Sequence, residues 1–287
     1  MQEISDKSLH PFEDRESQQK SLTILLVSDI HDDHKKLEKL KAWFGEKFKE
    51  RCHYIFALGD FDNIKNNNPS PNAEINQYEK VSNILSFLEF ASVPIYYIPG
   101  NHDAAGFFKE TPTLTQHSKC IHKASVKIAD GLQIVGLGGS GPAYLEKSGK
   151  NELYWEGYPY TTDNDFSEDL KAVLEKFCNE NTQTILFTHW GPYLSSTTVD
   201  TVDHPELPVF SGSKVLSQAL REKHWNILCN LHGHTHAGVG RTNSGQVQII
   251  NPGSLHWGDF GILYLERSNV TNKWVIKKTE FINLNAY

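Results

Sequence analysis

Three imidazoles fall within five residues in the stretch LHGHTH, Leu231 to His236, and only Thr235 separates His234 from His236. A surface loop has no need of such crowding. A hydrophobic core disfavours it, because each buried ring nitrogen must find a partner. Similar side chains recur just beyond other short apolar runs. SDIHD carries Asp29 and His31, LGDFD carries Asp60 and Asp62, PGNHD carries Asn101, His102 and Asp103, and FTHWGP carries His189. Gly59, Gly100, Gly191 and Gly233 stand close by, where a missing Cβ permits tight backbone and close approach to a ligand. Asp29, His31, Asp60, Asn101, His189, His234 and His236 make seven oxygen or imidazole donors with no thiolate. Such a set suits borderline or hard divalent ions such as Mn, Fe, Zn or Co. Two ions roughly 3.5 to 4 Å apart, joined by one carboxylate, can activate a water and stabilise both oxygens of a phosphoryl displacement. His232 lies on the strand side of Gly233 and reads as structural or as a support to the ligands.

These residues need elements that converge. LTILLVSD (Leu22 to Asp29) is an aliphatic run of strand length, the pattern of a strand buried on both faces. His34 to Glu50 follows as an amphipathic helix, with Leu37, Leu40, Trp43, Phe44 and Phe48 on one side. Tyr54 to Asp60 is a strand, Ile75 to Ala91 a helix, and Pro94 to Asp103 a strand ending in a turn. That alternation predicts βαβ units and a parallel sheet, whose sites lie outside the carboxyl ends of the strands. Ala124 to Gly139 predicts a hairpin turning at Asp130-Gly131. Ala143 to Asp165 reads as an aromatic, Gly-rich loop, and Phe166 to Phe177 as a helix capped by Ser167. Thr184 to Pro192 is a buried strand, Tyr193 to Ser211 a long polar loop, and Gly212 to His224 a helix. Asn226 to His236 is a strand and loop, and two further segments close the sheets. The fold class is α/β, a four-layer α-β-β-α sandwich of two mixed sheets. Residues 1–20 form an expected disordered polar tail and 21–284 one domain.

DIH, GD, GNHD, THWGP and GHTH, in this order from Asp29 to His236, resemble the calcineurin-like metallophosphoesterase superfamily. Each motif alone is weak; five in register at strand ends are specific. The resemblance implies one metal held by Asp29, His31, Asp60 and His236, and another by Asp60, Asn101, His189 and His234, with Asp60 bridging. It implies two divalent or Fe(III)-type ions, with Mn, Fe or Zn foremost. A hydroxide between the ions would attack phosphorus. His102 would not ligate; it would assist departure of the leaving oxygen, an apt task for an imidazole near neutral pH. Asp62 or Asp103 would orient it.

The protein Ser/Thr phosphatase branch of that superfamily carries Asp and Arg where this chain has Asn63 and Ile64. It also carries an Arg shortly after its GNHE motif, where this chain reads GNHDAAGF. The arginines that clamp a phosphate bidentately are therefore missing at those places. The expected substrate is a phosphodiester or a small phosphomonoester. A non-catalytic scaffold on the same fold is the rival reading, and the complete ligand set counts against it. Taken singly, Asp29 and Asp60 could be ordinary helix caps and His189 a core histidine; their order along the chain favours ligation. His53, His117, His122, His204 and His224 read as structural, as does His256 beside Trp257. YWEGYPY (Tyr154 to Tyr160) reads as packing in preference to stacking on a ligand. Specificity is expected from the loops at 62–75, 139–165 and 193–211.

The remaining quantities narrow the class. The chain has 287 residues, 38% of them hydrophobic and 22% charged, as in ordinary globular proteins. A net charge of −7 gives no strong nucleic-acid-binding signal. No apolar run reaches the roughly 18 residues of a membrane span. Cys52, Cys120, Cys178 and Cys229 are widely spaced, which fits free thiols in a reducing compartment. A cytoplasmic location and a phosphoester substrate are expected; protein partners are not legible.

Overall fold

The computed structural model describes residues 19–48, 50–64, 71–147, 150–200 and 207–287. The tail expected over 1–20 falls almost wholly outside the described residues, as do the Asn run at 66–68 and His204. In chain order the elements are β1 (Ser21–Val27), α1 (His34–Lys47), β2 (Tyr54–Ala57), α2 (Pro71–Leu88), β3 (Ile95–Tyr97), β4 (Ser118–Cys120), β5 (Ala124–Ala129) and β6 (Leu132–Leu137). Then follow β7 (Ala143–Lys147), β8 (Lys150–Trp155), α3 (Asp163–Phe177), β9 (Gln183–Thr188), β10 (Val199–Asp200), β11 (Val209–Phe210) and α4 (Lys214–Ala219). The chain closes with β12 (Ile227–Leu231), β13 (Gly240–Ser244), β14 (Val247–Asn251), β15 (Asp259–Arg267) and β16 (Trp274–Asn283).

Two six-stranded mixed sheets face each other, ordered β16-β15-β1-β2-β3-β4 and β13-β14-β12-β9-β6-β5. In each, four neighbouring strands run parallel and the antiparallel partners lie toward the edges. β1, β2 and the core of β9 are buried along nearly their whole length, which is why they read as unbroken aliphatic runs. Ile24, Leu26, Phe56, Ile134, Phe187 and Leu231 fill the space between the sheets. Leu37 and Leu40 of α1 and Val81, Ile84 and Leu85 of α2 cover the first sheet. Phe166, Leu170 and Val173 of α3 and Leu216 of α4 cover the second. The result is the expected α-β-β-α sandwich.

Three local readings change. α3 begins at Asp163, one turn before the predicted start, and its cap is Thr162, not Ser167. Thr162 Oγ1 accepts from the Asp165 N–H and Asp165 accepts from the Thr162 N–H, so two orphan donors are satisfied at once. The predicted helix over Gly212 to His224 is shorter, Lys214–Ala219, and a separate 3-10 turn covers Lys223–Trp225. Finally, the two segments read as long loops contain a third sheet of four short strands, β10-β11-β7-β8. β7 and β8 pair with only two residues between Lys147 and Lys150, and Val209 and Phe210 pair with Leu145 and Tyr144. Lys, Glu and Asn have low strand propensity, which hides the β7–β8 hairpin, and the β7–β11 pairing joins segments more than fifty residues apart.

The four cysteines are free and buried. Burial pushes Cys52 and Cys178 to about 11 and Cys120 to about 12, and raises Cys229 as well. These thiols serve as apolar filling. Among the described residues no helix is long and apolar enough to cross a membrane.

His122 gives the fold a pH dependence. Its Nδ1 accepts from the Gly138 N–H at 2.9 Å, so a proton cannot settle there without losing that bond. Burial, with a smaller contribution from the Lys123 charge, lowers its pKa to about 4. In the unfolded chain the ring takes a proton near pH 6.5. Stability from this site is therefore complete above pH 6.5 and falls as the pH drops toward 4, by roughly 3 kcal/mol at most. Urea midpoints measured across this range in chelator should slope less in His122→Gln, which keeps an acceptor for Gly138. Parallel slopes in the two proteins would contradict this assignment.

Candidate metal centre

Register brings the strand ends together. Val27 pairs with Ala57 and Ala57 with Tyr97 in the first sheet, while Phe187 pairs with Leu231 in the second. Asp29, Asp60, Asn101, His189 and His234 then leave their strands at one edge of the sandwich. The exit turns are tight. Asp29, His31, Asp60 and His234 all hold positive φ, at 52°, 52°, 55° and 69°. Non-glycine residues in that region cost of order 1–3 kcal/mol each and cluster at functional sites. Two glycines are required by contact. A Cβ on Gly100 would lie 2.1 Å from Asp60 Oδ1, and one on Gly233 would lie 1.9 Å from Ser28 Oγ and 2.6 Å from Asp29 Oδ2.

The candidate ligands form two adjoining groups. Asp29, His31 and His236 make one; Asp60, His189 and His234 make the other, and within each the potential ligand atoms lie within 4.8 Å of one another. Asn101 joins the second, with Oδ1 3.1 Å from His189 Nε2. Asp60 Oδ2 stands between the groups, 3.2 Å from His189 Nε2 and 3.9 Å from His31 Nε2. In the first group, His236 Nε2 lies 3.3 Å from Asp29 Oδ1 and 3.0 Å from His31 Nε2.

The electrostatics call for a cation. Burial alone would raise Asp29, but the hydrogen bond and charge of His236 outweigh it and leave its pKa at about 2. Burial also opposes ionisation of Asp60, yet the charge and hydrogen bond of His189 hold it well below the usual range. His189 is pushed down by burial and up by Asp60, the latter winning, to about 9. His236 is raised in the same way by Asp29, against its burial. Burial lowers His31, and burial with the His189 charge takes His234 to about 3. Two buried carboxylates thus stay charged and draw positive charge into the cluster. Metal ions fit this set. Two imidazole nitrogens 3.0 Å apart cannot face each other as lone pairs without a proton or cation between them. His189 Nδ1 donates to the Leu58 carbonyl at 2.7 Å, which turns Nε2 toward Asp60 and Asn101, the support an imidazole ligand has when a metal takes the place of its Nε2 proton.

The neighbours of the clusters have distinct tasks. His102 Nδ1 is 3.0 Å from the Ile64 carbonyl, so a backbone oxygen orients this ring, where the sequence pointed to Asp62 or Asp103. The His102 backbone N–H donates to Asp60 Oδ1 at 2.7 Å. Asp103 is buried and accepts from the backbone N–H groups of Asp60, Phe61, Asp62 and Gly100 at 2.7–3.2 Å. Burial and the Asp60 charge push its carboxyl up to about 7, while the Gly100 and Asp62 N–H groups pull it down. Asp103 straps the second and third exit loops together. Asp62 takes Lys80 at 3.1 Å. His232 stands apart from both groups, buried between Thr197 Oγ1 at 2.8 Å and the Gly233 carbonyl at 3.0 Å.

A cavity of about 610 Å³ opens over the clusters. Besides Asp60, Asn101, His102, His234 and His236, its lining includes Tyr154, Trp155, Glu156, Tyr158, Asp200 and Trp257. The sequence reading assigned the 154–160 aromatics to packing and gave Trp257 no role. The clue was present in YWEGYPY, but only the third sheet carries it to the site.

The chain belongs to the calcineurin-like phosphoesterase family, whose pattern matches residues 22–238. Membership supports hydrolysis of phosphoesters as its class of activity. Among solved structures it is similar to the protein TT1561 of Thermus thermophilus, at 19% identity and TM-score 0.56, covering 92% of this chain and 99% of that one. It is also similar to a dimetal phosphatase from Danio rerio, at 15% identity and TM-score 0.56 with the same coverage. At these identities the likeness is one of fold. Comparison with curated proteins gives no match.

Asp103→Asn keeps the side-chain shape but sets an NH₂ group against backbone donors. It should lower stability by roughly 1–3 kcal/mol and weaken uptake of metal, read from urea midpoints and from metal content after dialysis. Unchanged values in both would show that the exit loops do not depend on this carboxylate.

Proposed function

We propose that the protein is a phosphoester hydrolase with a dinuclear metal centre, acting on a phosphodiester or a small phosphomonoester. The observation that carries this reading is the pair of adjoining Asp/His groups, with Asp60 Oδ2 of one 3.9 Å from His31 Nε2 of the other and His102 beside them. Asp29, His31, Asp60 and His236 would hold one ion, and Asp60, Asn101, His189 and His234 the other. Mn, Fe or Zn suits the mixed oxygen and imidazole set. Bound there, the ions would supply Lewis-acid polarisation of the phosphoryl oxygens and activation of a water.

The remaining work falls to the chain itself. The Ile64 carbonyl holds His102 Nδ1, which leaves Nε2 as the nitrogen available in the cavity. From there it would pass a proton to the departing oxygen. The walls support a reading of the substrate's charge. Among the described residues the cavity lining holds no Lys or Arg. That lining fits a diester, with one negative charge, better than a dianionic monoester, and the absence of the protein Ser/Thr phosphatase branch's arginines at Asn63-Ile64 and after GNHD counts against a phosphoprotein. The alternative of a scaffold without catalysis is opposed by the intact ligand set. The four buried free thiols support a reducing compartment such as the cytoplasm.

Mn-supported hydrolysis of bis-p-nitrophenyl phosphate, measured beside p-nitrophenyl phosphate, tests the reading. His102→Ala should keep its metal and lose about 10²-fold or more in kcat. Asp60→Asn should lose both metal and turnover. A wild-type protein with neither bound metal nor turnover would sink the catalytic reading and leave the scaffold.

A further inference from the structure

We propose that the indole N–H of Trp155 and a metal ion compete for His234, so that Trp155 withholds His234 from the second group and must leave it when that group is loaded. The proposal rests on the metal-binding part of the reading above and assigns Trp155 as a positioning residue of that site.

Trp155 ends β8, the outer strand of the third sheet. Its Nε1 donates to His234 Nε2 at 3.2 Å, with the two rings edge-on, centroids 5.6 Å apart and planes at 83°. A bulge sets this aim. Ala143 pairs with Trp155 and Tyr144 with Leu153, so Tyr154 is an extra residue between them. Such bulges bend an edge strand and re-aim the side chains beside them.

An indole nitrogen only donates, so His234 Nε2 must accept. In a neutral imidazole the other nitrogen, Nδ1, then carries the ring proton. Neither nitrogen is left for a metal while that bond stands. A metal at Nε2 would take the place of the indole hydrogen. A metal at Nδ1 would send the ring proton to Nε2 and set two N–H groups against each other at 3.2 Å. On either route the indole has to leave.

The imidazole is the fixed partner of the pair. The His234 backbone N–H donates to both oxygens of Asp29, at 3.1 and 3.2 Å, and its ring packs edge-on to that of His189, with centroids 5.3 Å apart. Trp155 is the looser one. It sits at the last pair of its ladder on an edge strand and is only partly buried. Both side chains line the cavity of about 610 Å³, so the indole can turn into open space. Loading of the second group is thereby coupled to the outer wall of the cavity.

Titration of the chelator-stripped full chain with Zn tests this. Zn has a filled d shell, so the N–H resonances of isotope-labelled indoles can be followed by NMR throughout. The Trp155 signal, identified by its loss in Trp155→Phe, should shift and exchange faster with water once Zn is bound. Trp155→Phe removes the donor and keeps an aromatic ring at the end of an edge strand. Competition against a chelator of known affinity should show one Zn-binding step of this variant tightened by roughly threefold to tenfold, the span expected when one competing hydrogen bond is lost, and the other step unchanged. A role for Trp155 in packing alone would loosen Zn instead. A Trp155 signal unmoved by bound Zn, or equal or weaker binding in the variant, would overturn the proposal while leaving the metal centre standing. Zn bound by the variant and not by the wild type would support the proposal in its strongest form. Zn bound by neither would overturn both the proposal and the metal-centre reading.

Discussion

Two carboxylates buried at the ends of parallel strands set the terms for the rest of this protein. Asp29 and Asp60 are almost fully shielded from water and stay ionised, so each must be surrounded by positive charge or hydrogen-bond donors. The imidazoles of His31, His189 and His236 stand within 4 Å of them. The N–H of His234 donates to Asp29 and that of His102 to Asp60. An ensemble that draws positive charge to one point is a poor way to stabilise a fold and a good way to hold metal ions. The sandwich is the frame that makes such an arrangement tolerable.

The frame is strained where it meets the site. Four of the seven candidate ligands are left-handed in backbone conformation, and Gly100 and Gly233 stand where no Cβ fits. Asp103 compensates by gathering four backbone donors from two loops into one carboxylate. Behind the His234 loop, hydroxyls do similar work. Ser211 Oγ is 2.6 Å from Thr235 Oγ1, and Thr197 Oγ1 is 2.8 Å from His232. This places His232 among the supports, and it ties Thr197 and Ser211 to the loop that carries His234 and His236.

The third sheet separates the common chemistry of the site from its selectivity. Its strands come from stretches before α3 and after β9, and its edge strand delivers Trp155 against His234. The candidate ligands leave strands of the two large sheets, whereas most of the cavity's outer wall rests on this small one. Substitutions in the wall can therefore change what is bound without altering the strand ends that hold the ligands.

The sequence by itself determined the parallel core and the candidate ligands. Long aliphatic runs identify strands buried on both faces, and Asp, Asn and His directly beyond them have few other uses. The hairpin at Asp130-Gly131 was legible for a similar reason, since its turn chemistry is local. Tertiary structure alone decided the rest. It showed that Asp103 binds backbone N–H groups of the neighbouring exit loops, that Ile64 orients His102, and that Thr162 caps α3 through its reciprocal bond with Asp165. It also turned two apparent loops into a sheet and brought Trp155 and Trp257 into the lining of one cavity. Periodicity and motif spacing report what a residue does within its own segment. Hydrogen-bond partners and cavity walls are set by segments that meet only when the chain is packed, and such meetings leave no local trace.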